Sequence, residues 1–294
     1  MNRVCIVLFL IGICQWLHTE NVFAQPDSSK LLNTIEVNTN RVDEFGIGYK
    51  TENIDSTLRA SYSHNNLADL LSNHSQVFIK SYGLGSLATS SFRGAGAAHT
   101  AVLWNGFNLQ SPMNGLLDFS LVPVDFISDV KIQYGSSSDL WGTGAVGGCI
   151  HLNNYALYNS GTDISLSISQ GSFARKNYSG KISISKSKWQ SSIKIFKANA
   201  ENDFIYRNTA SYDKPITRQS NAQLYQYGIL SENYLKINNA QQLKIVFWHQ
   251  YNKRNIPPTM TQNRNVAFQK DVFYRGMMEW VRIKTKYRLK IRTA

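Results

Sequence analysis

From Asp163 onward the chain alternates apolar and polar residues, and that pattern limits its fold more than any other feature. Ile164, Leu166 and Ile168 alternate with Ser165, Ser167 and Ser169. Ile182 and Ile184 alternate with serines, and Ile193 and Ile195 alternate with Ser192, Lys194 and Phe196. Tyr225, Tyr227 and Ile229 follow the same rule, as do Leu243, Ile245 and Phe247. A period of two places successive side chains on opposite faces of a strand, so these segments read as strands with two different faces. Gln170-Gly171-Ser172, Ser187-Lys188 and Asn238-Asn239 supply turns, and a longer polar insertion spans Glu201 to Gln219. Short and long connections therefore alternate.

A soluble β-sandwich accounts for the alternation alone. Tyrosine-rich strands, uneven connections and an export signal favour a barrel in an outer membrane. The N-terminus reads as a signal peptide. Arg3 gives the positive start, Val4 to Ile13 the apolar segment, and Val22-Phe23-Ala24 the cleavage site before Gln25. Ile13 before Cys14 disfavours lipoprotein processing. No later run is apolar enough for a membrane helix. Only 17% of residues are charged and 12% are aromatic, unlike a cytosolic enzyme. The net charge of +12 is spread residue by residue, without a basic helix or stripe, so nucleic acid is not the expected partner. Cys149 remains after processing and reads as a small buried hydrophobe.

The final residues place cations at every second position, Arg282, Lys284, Lys286, Arg288, Lys290 and Arg292, with Val281, Ile283, Tyr287, Leu289 and Ile291 among the others. Read as one strand, this has a cationic and a largely apolar face.

Upstream, a small α+β domain is expected. Ser63 can cap a helix whose Leu67, Leu70 and Leu71 share a face. Short strands are expected at Gln76–Lys80, Ala88–Arg93, His99–Trp104 and Ser128–Tyr134, with a turn at Asn105-Gly106 and a helical turn at Pro123–Phe126. The stretch from Tyr134 to Asn154 joins the two halves and holds Gly135, Gly142, Gly144, Gly147 and Gly148. Glycine at that density implies tight turns or close packing. Gly142 to Gly147 also fits G-x-G-x-x-G, but a nucleotide site needs a strand before it and a helix after it. Here a strand, Cys149 to Leu152, follows. The histidines lack metal-ligand spacing, and no G-x-S-x-G turn occurs. Asp125, Asp129 and Asp139 read as solvated or capping groups. No cofactor, metal site or enzyme activity is expected.

Five motifs, in order, resemble the plug domain of TonB-dependent outer-membrane receptors. They are Leu67-Ala68-Asp69-Leu70-Leu71 with Val77-Phe78-Ile79; Ser91-Phe92-Arg93-Gly94; Val102-Leu103-Trp104-Asn105-Gly106; Val130 to Ser138; and Gly142 to Ile150. Arg93, Gly94, Asn105, Gly106, Gly135, Gly142, Gly144, Gly147 and Gly148 are the structural positions of the motifs. Asn105 replaces the usual acid, Ser136 the usual proline and Cys149 the usual valine. Thr34-Ile35-Glu36-Val37-Asn38 resembles the box that pairs with the TonB energy-transducing complex.

The resemblance implies an α+β plug domain followed by antiparallel transmembrane β-barrel strands. The expected layout is a signal peptide over 1–24, a leader with the box over 25–45, the plug over 46–154 and barrel strands over 155–294. It implies a receptor in the outer membrane of a Gram-negative bacterium, contacting outer-membrane lipid and importing cobalamin or an iron chelate. The substrate-facing loops are expected at Tyr82, Gly83, Leu84, Gly85 and Ser86, and at Phe107, Asn108, Gln110, Ser111 and Asn114. The residues after Asn154 suffice for about six to eight strands, against about 22 in a plugged barrel, so an incomplete barrel and a truncated receptor are expected. A secreted β-rich binding or adhesion protein is the alternative.

Overall fold

The computed structural model describes residues 48–142, 144–284 and 286–294. The expected signal peptide (1–24) and the TonB-box candidate (Thr34–Asn38) lie outside them.

The plug begins with β1 (Lys50–Asn53) and α1 (Ser56–Ser61), whose N-cap Asp55 accepts from Thr57 N at 2.7 Å. The expected helix is α2 (Leu67–His74). Its cap is Asn66, which accepts from Asp69 N at 3.0 Å, and not Ser63. Asn66 wins because it lies immediately before the first helical residue, where a side-chain acceptor reaches the N3 amide. Leu67, Ala68, Leu70 and Leu71 turn into the core.

Next come β2 (Phe78–Ser81) and β3 (Ala88–Ser91), which pair as a hairpin. They are followed by β4 (Thr100–Trp104), β5 (Phe107–Asn108), β6 (Asp129–Tyr134), α3 (Ser138–Trp141) and β7 (Gly148–Asn153). A five-stranded sheet forms in the order β1-β6-β7-β4-β5, with β4 and β7 parallel. Asn105 and Gly106 both have positive φ, 50° and 89°, as the two-residue turn between β4 and β5 requires. Helix α3 precedes the glycines of 142–148 and strand β7 follows them, the reverse of a nucleotide-binding turn. Cys149 in β7 is fully buried, and burial pushes its thiol pKa up.

Gly148 fits where no side chain would. A Cβ there would meet the Phe92 ring at 2.7 Å and Gln133 O at 2.9 Å. Gly148→Ala is expected to destabilise the fold by about 1–3 kcal/mol, read as a lower midpoint in denaturant.

The second half is a seven-stranded antiparallel sheet. Its strands are β8 (Gly161–Gln170), β9 (Lys176–Ser185), β10 (Trp189–Ala200), β13 (Leu224–Asn238), β14 (Gln241–Asn255), β15 (Phe268–Lys284) and β16 (Tyr287–Thr293). They pair in sequence order, and the sheet is open: β8 and β16 are its two ends. Between β10 and β13 the polar insertion folds into a ribbon of β11 (Ile205–Arg207) and β12 (Ile216–Arg218).

The basic run at the end of the chain is a hairpin rather than one strand. Lys284 pairs with Tyr287, and the alternation changes face across the turn. Arg288, Lys290 and Arg292 join Glu279 on one face; Arg282 and Lys284 lie on the other with Leu289 and Ile291. Glu279 selects this register. Its carboxylate takes Lys290 at 3.0 Å and Arg292 at 2.7 Å.

The two faces differ sharply. One face packs on the plug and buries Leu230, Val246, Trp248 and Met277 with the plug core. The other is apolar and open; Leu166 is 84% exposed and Ile168 76%.

Candidate functional site

Two seams fix the plug against the sheet, one at each end of the strands. The connections 171–175, 201–223 and 256–267 leave from one end, the loop end. The tight turns 186–188 and 239–240 leave from the other.

At the loop end the anchor is Arg254 of β14, whose guanidinium is almost wholly buried. It pairs with Asp118 of the plug at 2.8 Å and donates to Gly85 O at 3.1 Å. It also donates to Gln269 Oε1 at 2.8 Å. The other Asp118 oxygen accepts from Ala88 N and Ser120 N, both at 3.0 Å, and from Ser120 Oγ at 2.7 Å. Charge-assisted bonds to several partners are what allow both ions to leave water.

This anchor holds the loop Tyr82–Ser86. Asn202 Nδ2 donates to Leu84 O at 3.3 Å, and within the loop Ser86 N donates to Gly83 O at 3.0 Å. Gly85 has φ 68° and stands against Leu224. Tyr82 to Ser86 line an open cleft of about 450 Å³ together with Phe173, Arg175, Asn202, Phe204 and Arg254. That volume is in the range of small-molecule sites. Arg175 and three aromatic rings suit a compact ligand with acceptor oxygens, with Arg254 holding the loop behind them.

Beside the cleft, the plug meets β8 and β9. His64 Nε2 lies 2.8 Å from Ser167 Oγ, and its carbonyl accepts from Asn177 Nδ2 at 3.0 Å. Asp125 sits at this seam instead of in water. Burial raises its pKa, opposed by a hydrogen bond from Ser179 and the nearby His64, Lys194 and Arg59. Asp129 accepts from Asn153 at 3.3 Å, and Asp139 from the Tyr49 hydroxyl at 3.5 Å.

The second expected loop does not line this cleft. Phe107 is half-buried against the plug core. Asn108 Nδ2 donates to Gln110 Oε1 at 2.9 Å, Gln110 Nε2 donates to Gly115 O at 2.7 Å, and Leu116 N donates to Asn114 Oδ1 at 3.3 Å. Ser111 N donates to Leu116 O at 3.0 Å, closing the loop on itself. Arg93 is exposed with φ 49° beside Gly94.

At the turn end, Lys244 of β14 donates to Asn105 Oδ1 at 2.8 Å and to Asn154 O. Asn154 donates to Phe126 O at 2.7 Å and accepts from Trp104 Nε1 at 3.0 Å. Arg292 Nη1 reaches Asn105 O at 3.4 Å. Sequence reasoning passed over Lys244 and Arg254, because a lone cation inside an alternating strand has no local pattern to distinguish it, and Arg175, which stands in the short connection before β9. Arg254 does follow Gln250 and Asn252 at strand spacing, a polar row continuing from the apolar pair Val246 and Trp248 on the same face of β14, and that signal was available.

Among the described residues no group of three or more His, Cys, Asp or Glu is placed to hold a metal ion.

A mixed sheet seated on one face of an open antiparallel wall is the arrangement of a plug domain inside barrel strands, and in its plug portion the chain is similar to the TonB-dependent receptors. Residues 49–149 match the family model described as the TonB-dependent receptor plug domain. The chain is 30% identical over 86 residues to the vitamin B12 transporter BtuB of Photobacterium profundum, covering 29% of this chain and 14% of that protein. It is 26% identical over 135 residues to BtuB of Vibrio vulnificus, covering 46% and 19%. The FrpB iron transporter from Neisseria meningitidis (F3-3 variant) superposes with a TM-score of 0.65 at 11% identity, over 83% of this chain and 40% of that one. At that identity the likeness is one of fold. The chain spans less than a fifth of the length of these curated relatives. The receptors of this family are transporters, not enzymes.

Proposed function

We propose that the chain acts in energy-coupled uptake of a scarce small ligand, cobalamin or an iron chelate, across the outer membrane of a Gram-negative bacterium. The observation that carries this is the plug loop Tyr82–Ser86, held by Arg254 in a cleft at the loop end. Ligand would enter there, since long connections face outward in such barrels. Thr34 to Asn38 would pair by strand addition with the TonB complex, whose pull rearranges the plug. The chain itself makes and breaks no bond. The open apolar face disfavours the alternative of a soluble secreted adhesin, because that face needs a covering such as lipid.

Outer-membrane fractionation with heat-modifiable gel migration tests the location; a wholly soluble periplasmic product overturns it. Deleting Thr34–Asn38 in cells that depend on the ligand is expected to abolish uptake and leave ligand binding at the surface intact. Undiminished uptake would remove the box from the proposal.

A further inference from the structure

The sheet face turned away from the plug carries a charge pattern that uptake does not use. Across its seven strands, the described outward positions hold no Asp or Glu; Asp163, Glu232, Asp271 and Glu279 all fall on the plug side of their strands. Cations stand at both ends of the outward face. Lys176, Lys197, Lys253 and Lys270 are at the loop end, and Arg282 and Lys284 at the turn end. Between Lys270 and Arg282 on β15 the outward residues are Val272, Tyr274, Gly276, Met278 and Trp280. That interval is about 40 Å of strand and, at a barrel strand's tilt, about 30 Å of depth, the thickness of a hydrocarbon core.

The loop-end lysines are concentrated. Lys253 and Lys270 are direct cross-strand partners, and Tyr225 pairs with Lys253 on its other side. Like charges directly opposite each other destabilise a sheet unless something anionic lies over them. Each ammonium also sits over a ring. Lys197 is 5.6 Å from the Tyr225 centroid, Lys253 5.2 Å from Phe268 and Lys270 5.4 Å from Tyr251. Directly below, Tyr227 stacks on Tyr251 at 5.1 Å and His249 on Tyr274 at 4.4 Å.

We infer that the rim formed by Lys197, Lys253 and Lys270 binds a membrane lipid bearing phosphate on its headgroup. This rests on the outer-membrane reading above. The lysines supply charge to the phosphate, the tyrosines fill the interface, and the apolar band beneath takes the acyl chains. A free phosphate would use only the first of these three contacts, so the occupant is a lipid. The site would orient the strands at the outer leaflet and relieve the Lys253–Lys270 repulsion.

The test uses the full chain in detergent, titrated with lipid A and with dephosphorylated lipid A, bound lipid being read by native mass spectrometry. Lipid A is expected to bind the wild-type chain about thirty-fold more tightly than it binds Lys253→Gln/Lys270→Gln. The dephosphorylated lipid should bind the wild-type chain as weakly as lipid A binds that variant. Lys253→Arg/Lys270→Arg should restore binding, and Arg282→Gln/Lys284→Gln should leave it unchanged. Equal affinity for the two lipids, or equal loss in the turn-end variant, overturns the inference. Failure of the chain to enter membranes would defeat the uptake proposal as well, whereas membrane insertion with no phosphate preference defeats only this one.

Discussion

Arg254→Met is expected to lower the unfolding free energy by about 3–5 kcal/mol, measured by denaturant titration in detergent. The substitution keeps most of the side-chain volume and removes the charge. Asp118 would then remain with its carboxylate buried and no cation facing it. Gly85 O would lose a donor in the same step, and Gln269 would lose two bonds. The loss is therefore larger than the net worth of the pair, because most of it is the cost of an unpaired buried ion. Asp118→Asn is expected to cost less, since its amide oxygen can still accept from Ala88 N and Ser120 N. If the methionine variant unfolds at the wild-type denaturant concentration, the pair does not hold the plug. Under the uptake proposal the same variant should weaken ligand binding too, since the loop Tyr82–Ser86 loses its fixed point.

Trp248→Ala should be of similar size, about 3–5 kcal/mol, for a different reason. Trp248 is completely buried where the plug meets the sheet. Its ring contacts Trp104 at 5.4 Å, Phe126 at 5.8 Å and Phe273 at 5.5 Å, all edge to face. Arg275 stacks over it at 4.9 Å, and its indole N–H donates to Gln250 at 3.0 Å. Truncation opens a cavity between two elements whose backbones are fixed by ladders, so little collapse can follow. Trp248→Phe should recover more than half of the loss. Thermal unfolding followed by near-ultraviolet dichroism would separate the two variants. A shift of less than about 1 kcal/mol for alanine would mean that the plug does not depend on this contact.

The plug was legible in the sequence because its motifs are local. Leu67, Leu70 and Leu71 at helical spacing give α2, and Asn105-Gly106 gives the turn after β4. The sheet's strands from β8 to β14 were equally legible, because each follows its predecessor through a short turn or one loop, whereas the span Phe268–Trp280 of β15 was not read as a strand. Legibility failed where two patterns overlap. Between Val281 and Arg292 the period of two runs straight through a hairpin, so spacing could not reveal that the cationic row changes face. Asn66 and Ser63 are both good caps, and only position relative to the first helical residue chooses between them. The candidate site was legible in one part, the loop Tyr82–Ser86. Its partners come from three separate segments, Arg175 before β9, Asn202 and Phe204 after β10, and Arg254 in β14, and the sheet's pairing alone brings them together.

Tyr134 links the plug's two ends of sequence and gives it a response to alkali. Its hydroxyl donates to Glu52 and accepts from Gln76 N, and burial followed by the Glu52 carboxylate raises its pKa from 10.0 to about 12. The folded state thus keeps the phenol proton where the unfolded chain releases it. The contribution is whole below about pH 10 and is lost as pH rises from 10 toward 12. Denaturation across that interval should show falling stability, and Tyr134→Phe should flatten the fall.

Glu52 lies in β1, and this gives the plug a mechanical direction. Strand β1 is four residues long, lies at the edge of its sheet and has a single neighbour, β6. Its side chains are mostly exposed, tied back through Glu52 to Tyr134 and through Lys50 to Gln76 at 2.7 Å. Tension arriving from the N-terminal side would therefore load the ladder at the Lys50–Tyr134 pair and open it one rung at a time. Strands β4 and β7, paired in parallel at the sheet's interior, would carry no load until β1 had come away. A short edge strand with one neighbour is thus the first joint in line.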